Sequence, residues 1–320
     1  RFRWNQHDDF LASCFGSEWL NNVLTMGNGR ITFSVATFAS DVGIAQIARG
    51  CQVGTFQMEI PADGDITATI TFAGLDWETK GDDTSYFTAP VDLAGALRYS
   101  FKEVTNIRLN GVDGGTGFCV DTFNIQFNNN MQTQRCIGTG SAFAGANIPT
   151  TFTPSGQITL SWSKAAWEVY KKTFTGETVP FSFTLENAEG AYTFDFPEVQ
   201  ISGDWPDAGS TDIVQVQLDI TAANTPPTIT RVPKVPAMAI SVAPATSTGA
   251  VGSTVTLTAT LTPADSTDTV QWTSSDPTIA SVVSTGQKTA TVTRNAAGTA
   301  IITGKARTYT ATSEITVTAP

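Results

Sequence analysis

The stretch Val53-Gly-Thr-Phe-Gln-Met-Glu-Ile60 returns 67 positions later as Val120-Asp-Thr-Phe-Asn-Ile-Gln-Phe127. Both read V-x-T-F-x-φ-x-φ, with φ apolar. A period of two puts Phe56, Met58 and Ile60 on one face of a strand, and Phe123, Ile125 and Phe127 on one face of another. The opposite faces (Val53, Thr55, Gln57, Glu59 and Val120, Thr122, Asn124, Gln126) grow polar along their length. Each phrase reads as a half-buried strand. The echo predicts equivalent places in two sheets, or in two related halves of one subunit.

Strand patterns spread outward from this pair, at 30–38, 52–60, 65–73, 97–109, 119–127, 131–137, 157–162, 179–186, 191–201 and 212–222. Ile66-Thr-Ala-Thr-Ile-Thr-Phe72 and Ile213-Val-Gln-Val-Gln-Leu-Asp-Ile220 alternate cleanly. Residues 8–24 predict a short helix, with Asp8 and Asp9 at its start and Phe10, Leu11, Cys14 and Phe15 on one face. A second helix is expected over 164–174, where Trp167, Tyr170 and Phe174 form a stripe that packs across a sheet. The fold class is all-β: two packed sheets with a flanking α-helix.

The chain has 320 residues, too many for one compact core. Thr225-Pro-Pro-Thr-Ile-Thr-Arg-Val-Pro-Lys-Val-Pro236 holds four prolines, which remove ladder donors and favour a stiff, extended connector. The expected organisation is a first domain over 1–224, a Pro-rich linker over 225–237 and a second domain over 238–320. On this reading a chain cut after Thr225 still assembles. The second domain packs about seven short strands with turns every 8–12 residues, the spacing of an immunoglobulin-like sandwich. It lacks cysteine, so packing around Trp272 does the work of a disulfide; a sugar-stacking role for Trp272 is the lesser alternative.

Charge is uneven. From residue 231 onward six Lys/Arg face four acids, so that of the total of −11 the first 230 residues carry −13. Such a surface does not grip a phosphate backbone, and suits a wall along which DNA must slide without sticking. Acidity also serves solubility alone.

Catalytic and metal chemistry find little support. His7 is the one histidine, near the start of the sequence, which disfavours Ser-His-Asp and Cys-His arrangements. Cys14, Cys51, Cys119 and Cys136 lack metal-ligand spacing, so buried free thiols are expected, with two disulfides formally open. Asp63-Gly-Asp65 and Asp204-Trp-Pro-Asp207 lack the ligand series of a calcium loop and read as turns. Gly111-Val-Asp-Gly-Gly-Thr-Gly117 lacks the strand-to-helix setting of a phosphate loop. No catalytic residue, cofactor or metal site is expected. No apolar run is long enough to span a membrane. No signal peptide is visible, although a removed one stays open because the sequence begins at Arg1.

Residues 238–320 resemble a bacterial immunoglobulin-like domain of the second group, through Ile240-Ser-Val-Ala-Pro244, Gly252-Ser-Thr-Val-Thr-Leu-Thr-Ala259, Val270-Gln-Trp-Thr-Ser-Ser-Asp-Pro-Thr-Ile-Ala-Ser-Val282 and Ala297-Gly-Thr-Ala-Ile-Ile-Thr303. The resemblance implies a binding or display module, with weak cell-surface or glycan contact as its implied use.

Residues 8–222 resemble the tail tube (major tail) proteins of long-tailed bacteriophages. The resemblance rests on Arg49-Gly-Cys-Gln-Val-Gly-Thr-Phe56, on Val120-Asp-Thr-Phe-Asn-Ile-Gln-Phe-Asn-Asn-Asn130, on the Trp167–Phe174 helix and on Phe181-Ser-Phe-Thr-Leu185 with Tyr192-Thr-Phe-Asp-Phe-Pro-Glu-Val199. It implies a β-sandwich that forms homohexameric rings. The rings stack into the tube through which DNA passes without specific binding. The implied partners are the tape measure, terminator and distal tail proteins. The implied location is the virion tail, assembled in the host cytoplasm, with no membrane and no enzymatic activity. The segment 76–90 is the candidate inter-ring arm, with Asp76, Trp77, Glu78, Lys80, Asp82, Asp83, Tyr86 and Phe87 its contact residues; a plain surface loop is the alternative. The rival to the whole reading is a bacterial surface or fimbrial adhesin with the same accessory module, and a secreted glycan-degrading enzyme comes third.

Overall fold

The computed structural model describes residues 1–39, 41–81, 97–135, 145–206 and 213–319. The chain divides into two compact units, Arg1–Val232 and Pro233–Pro320.

The first unit opens with α1 (Asp8–Phe15) and β1 (Val23–Leu24), followed by β2 (Phe33–Ala39), β3 (Ile44–Ile60), β4 (Thr67–Ala73) and β5 (Asp76–Gly81). A one-turn 3-10 helix (Phe101–Glu103) leads into β6 (Val104–Leu109), β7 (Val112–Asp113), β8 (Val120–Asn128), β9 (Gln132–Gln134), β10 (Ala146–Ile148) and β11 (Thr153–Ser161). Then come α2 (Lys164–Tyr170), α3 (Lys172–Thr175), β12 (Val179–Glu186), β13 (Gly190–Ser202), β14 (Gln215–Ala222) and β15 (Thr228–Pro233).

The two copies of the opening phrase are direct neighbours. β3 and β8 run antiparallel with Phe56 opposite Phe127, Met58 opposite Ile125 and Ile60 opposite Phe123. These six side chains are all buried. The copies therefore share one sheet, rather than occupying equivalent places in two. The order of that sheet is β4-β3-β8-β11-β14. A second layer runs β7-β6-β12-β13-β15-β1, and β13 passes between the layers, pairing with β12 along most of its length and with β14 from Val199 to Ser202.

Phenylalanines fill the space between the layers. The Phe123 ring lies 4.8 Å from Phe183, and Phe127 stacks on Phe196 at 6.0 Å. Each buried ring contributes about 2–3 kcal/mol by leaving water. Gly156 is required where β11 crosses β8, because a Cβ there would sit 2.2 Å from the Asn124 carbonyl oxygen.

Several expected boundaries move. The first helix stops at Phe15, not near residue 24, because Gly16 turns left-handed (φ +62°) and the loop that follows captures the last carbonyls. Gly27 N–H donates to Phe15 O at 2.9 Å, and Gly29 N–H to Gly16 O at 2.7 Å. The strand expected over 97–109 begins only at Val104, since Ser100 and Glu103 close a capping box around the 3-10 turn. The expected linker is partly strand. Its prolines stand at 226, 227, 233 and 236, leaving Thr228–Val232 with the N–H groups that let β15 pair with β1 and β13.

The second unit holds, among its described residues, two four-stranded sheets. β16 (Ala239–Ala243), β18 (Thr254–Thr262), β21 (Thr289–Arg294) and β20 (Ala280–Ser284) form one. β17 (Thr246–Ala250), β23 (Tyr309–Thr318), β22 (Gly298–Ala306) and β19 (Gln271–Ser274) form the other. Leu257, Val292, Ile302 and Ile315 are fully buried between them. Trp272 is half-buried at the margin of this core, over Gly304, so it flanks the packing expected to centre on it.

Candidate assembly surfaces

The outer face of the β4-β3-β8-β11-β14 sheet is built from the positions that alternate with the phenylalanine core. One cross-strand row reads Thr67, Glu59, Asn124, Gln157, Asp219, Ser202. The next reads Thr69, Gln57, Gln126, Ser155, Thr221, Gln200. Gln157 Nε2 donates to Asp219 Oδ1 at 2.8 Å, and Gln215 Nε2 donates to Asp121 Oδ2 at 2.7 Å. Neither Lys nor Arg occurs in β4, β8, β11, β13, β14 or the 52–60 half of β3. The surface is a lawn of amides and hydroxyls with a few carboxylates.

Val53 departs from its expected place on this polar face. A bulge between Val53 and Thr55 shifts the register and turns Val53 fully into the core. Thr55 and beyond face outward as the alternation requires.

Both margins of the sheet carry free ladder positions among the described strands. β4 pairs with β3 alone, and β14 meets β13 only from Asp219 to Ala222, leaving Gln215–Leu218 paired on one side. Ile70 and Phe72 on the core side of β4 stay half-buried. Edges left unpaired in this way are open to a further strand, which a monomer's edges are usually built to block.

Of the expected inter-ring residues, Asp76, Trp77, Glu78 and Lys80 lie in β5; Asp82, Asp83, Tyr86 and Phe87 fall outside the described residues. β5 and β2 flank the first half of β3, forming a three-stranded ribbon beyond the end of β8. One ribbon face buries Ala45 and Ile47, while Ile44 and Trp77 stand exposed on the other (45% and 57%). Arg49 pairs with Glu78 at 2.7 Å.

The expected helix stripe is only partly core. Tyr170 is buried, but Trp167 is 36% exposed and Phe174 70% exposed. α2 is followed by a separate turn, α3, which leaves the Phe174 ring mostly in solvent, edge-on to Tyr170. Trp162 and Trp205, not singled out from the sequence, complete an aromatic cluster with ring centroids 5.4–6.3 Å apart.

Beneath α1, the carboxylate of Asp8 is buried and accepts from the Tyr192 hydroxyl and the Arg231 guanidinium. Burial raises the Tyr192 hydroxyl well above the ordinary phenol range, with the Asp8 charge adding to it. Burial also holds His7 down at about 4, keeping its imidazole neutral. The Cys14 thiol is pushed up to about 12 by burial. Cys119, expected to be buried, is exposed, and Cys14, Cys51 and Cys119 are free. No group of three His, Cys, Asp or Glu that could hold a metal occurs among the described residues. Among them, no helix is long and apolar enough to cross a membrane.

Comparison with known proteins matches residues 5–222 to the family described as phage tail tube protein, and residues 236–317 to the bacterial Ig-like domain (group 2). No curated protein matches the sequence. Solved structures with some likeness include S-layer protein SbsC domains 4 and 5, at 16% identity and TM-score 0.24, covering 58% of this chain and 98% of that one. Surface layer protein SbsC domains 1–6 gives 16% identity and TM-score 0.25, covering 89% of this chain and 38% of that one. These scores are too low to bear on the fold. The family match spans well over half of the sequence and falls on the unit with the polar sheet face: the chain belongs to the phage tail tube protein family and carries a group 2 bacterial Ig-like domain after it.

Proposed function

We propose that the chain forms homohexameric rings that stack into the tail tube of a long-tailed phage, with the polar face of the β4-β3-β8-β11-β14 sheet lining the channel. The observation that carries this is the cation-free face. A wall of amides, hydroxyls and carboxylates gives a passing phosphate backbone no positive charge to bind, so DNA slides rather than sticks. The free ladder positions of β4 and β14 support closure of the ring, since a heterologous contact between different edges repeats around an axis.

On this reading the Ig-like module that follows the tube domain is displayed on the outside of the tube. There it is available for weak contact with the cell surface or its glycans. The tape measure, terminator and distal tail proteins are the expected partners inside and at the two ends of the tube, assembled in the host cytoplasm.

The test is negative-stain imaging of purified protein, followed by DNA release from phage carrying Gln57→Lys and Gln217→Lys. Six-fold rings or hollow tubes are expected, with slowed release from the lysine variant. Protein that stays monomeric at high concentration would end the tube reading; unchanged release would end the assignment of the channel face.

A further inference from the structure

We infer that the pocket beside the C-terminal end of α1 binds one residue of a peptide, taking a side-chain carboxamide at its floor and a carboxylate at its rim. The site lies within the first unit and does not depend on ring or tube formation.

The pocket encloses about 290 Å³ between Phe15, Phe152 and Ile31, under the loop 26–30 and the turn at Pro149 and Thr150. That volume is at the lower end for small-ligand pockets, room for a single residue rather than a helix or strand.

Its floor is polar. Gln52 and Asn129 both line the pocket, and each is only 8% exposed. Asn129 Nδ2 donates to Val53 O at 2.9 Å, which fixes the amide's orientation, since a carbonyl only accepts. Asn129 Oδ1 has no donor among the described residues, and the Gln52 carboxamide has no hydrogen-bond partner among them. Buried amides are rarely left open in this way, because a polar group removed from water without a partner costs stability. A carboxamide presents a donor and an acceptor side by side, and a second carboxamide complements both.

The rim is already ordered. Gly27 and Gly29 fasten the loop to the end of α1, Ser13 Oγ donates to Ile31 O at 2.9 Å, and Thr150 N–H donates to Asn129 O at 3.1 Å. Binding therefore has little left to immobilise. Arg30 stands on this loop, exposed and without an ion pair among the described residues. Neither Asp nor Glu lines the pocket, although the first 230 residues carry −13. The guanidinium suits a carboxylate, which accepts two parallel N–H bonds from it.

A peptide fits these walls better than a sugar does. Sugars lie on open aromatic faces, whereas Phe15 is 1% exposed and Phe152 stacks one face on Phe127.

The test is scanning calorimetry of the full chain with N-acetyl-L-glutamine, which joins carboxamide, peptide-like amide and carboxylate in one residue. A ligand of this size is expected to bind at about 1 mM, so that about 20 mM raises the Tm of the first unit by about 4–7 °C. Gln52→Met, which keeps the length of the side chain, is expected to cut the rise to about a third, and Arg30→Gln to about half. N-acetyl-L-methionine, of the same charge, is expected to give less than half the rise in the wild-type protein. No rise with N-acetyl-L-glutamine, or an equal rise with N-acetyl-L-methionine, would overturn the site. So would an undiminished rise in Arg30→Gln, an exposed substitution that decides the matter even where Gln52→Met does not fold. An equal rise with N-acetyl-D-glucosamine would overturn the peptide in favour of a sugar.

Discussion

Arg231 reaches back across 223 positions to set its guanidinium on the buried carboxylate of Asp8, while its side chain lies 4.7 Å over the ring of Trp19. The last strand of the first unit is thereby tied to the first helix. Removing one partner strands the other in a poorly hydrated place, which costs more than an exposed pair is worth. Asp8→Ala is expected to destabilise the unit by about 2–4 kcal/mol, lowering Tm by about 4–12 °C in a thermal melt. A change under 1 °C would show that the pair is idle.

The same contact moves the place where the chain can be cut. A chain ending at Thr225 lacks β15 and Arg231, whereas one ending at Lys234 retains both. The longer form is expected to melt like the first unit of the intact protein and to assemble; the shorter is expected to melt several degrees lower. Equal melting of the two would show that β15 adds nothing.

His7 supplies a pH signature. Its folded pKa of about 4 lies below the usual value of 6.5, because the ring is shut among Phe2, Phe10 and Phe56. Protonation therefore favours the unfolded chain. The contribution is intact above pH 6.5 and is lost as pH falls from there towards 4. Allowing for its half-buried position, the loss is about 1–2 kcal/mol. Chemical denaturation at pH 7 and pH 4.5 should show it, and His7→Gln should reduce it; an unchanged pH slope in that variant would assign the acid sensitivity elsewhere.

Thiol chemistry should divide along burial. Cys119 is expected to alkylate in the native protein, with Cys14 and Cys51 protected until unfolding, because burial raises both thiols. Peptide mapping after a short maleimide pulse distinguishes them.

Gly156→Ala should be far more damaging than an exposed strand substitution. The added methyl meets a backbone carbonyl, which cannot rotate aside, so β8 and β11 must separate locally. A loss of about 2–4 kcal/mol is expected in denaturant titration.

The sequence showed which side of each phrase turns inward, because alternation is local. It did not show that Phe56 would meet Phe127, since that pairing joins strands separated by a long excursion of the chain. Val53 was misplaced because a one-residue bulge inverts alternation without changing composition. Nothing near residue 24 announced that the first helix would end at Phe15; the carbonyl partners there come from Gly27 and Gly29. β15 was hidden by the prolines flanking it. The polar face was visible one strand at a time, and only the strand order reveals its rows as continuous and free of cations. Trp162 and Trp205 escaped notice because they join the helix aromatics through tertiary contact alone.

One residue of β3 carries a geometric consequence. Gly50 adopts φ +61°, and a Cβ there would press to 2.8 Å from the Leu75 side chain. It stands between the residues of β3 that pair with β5 (Ala45–Arg49) and those that pair with β4 (Gln52–Glu59). The strand thus has an elbow, with the polar sheet face on one limb and the ribbon on the other. The angle of the ribbon to the sheet is thus held at a single position, apart from every residue of the polar rows.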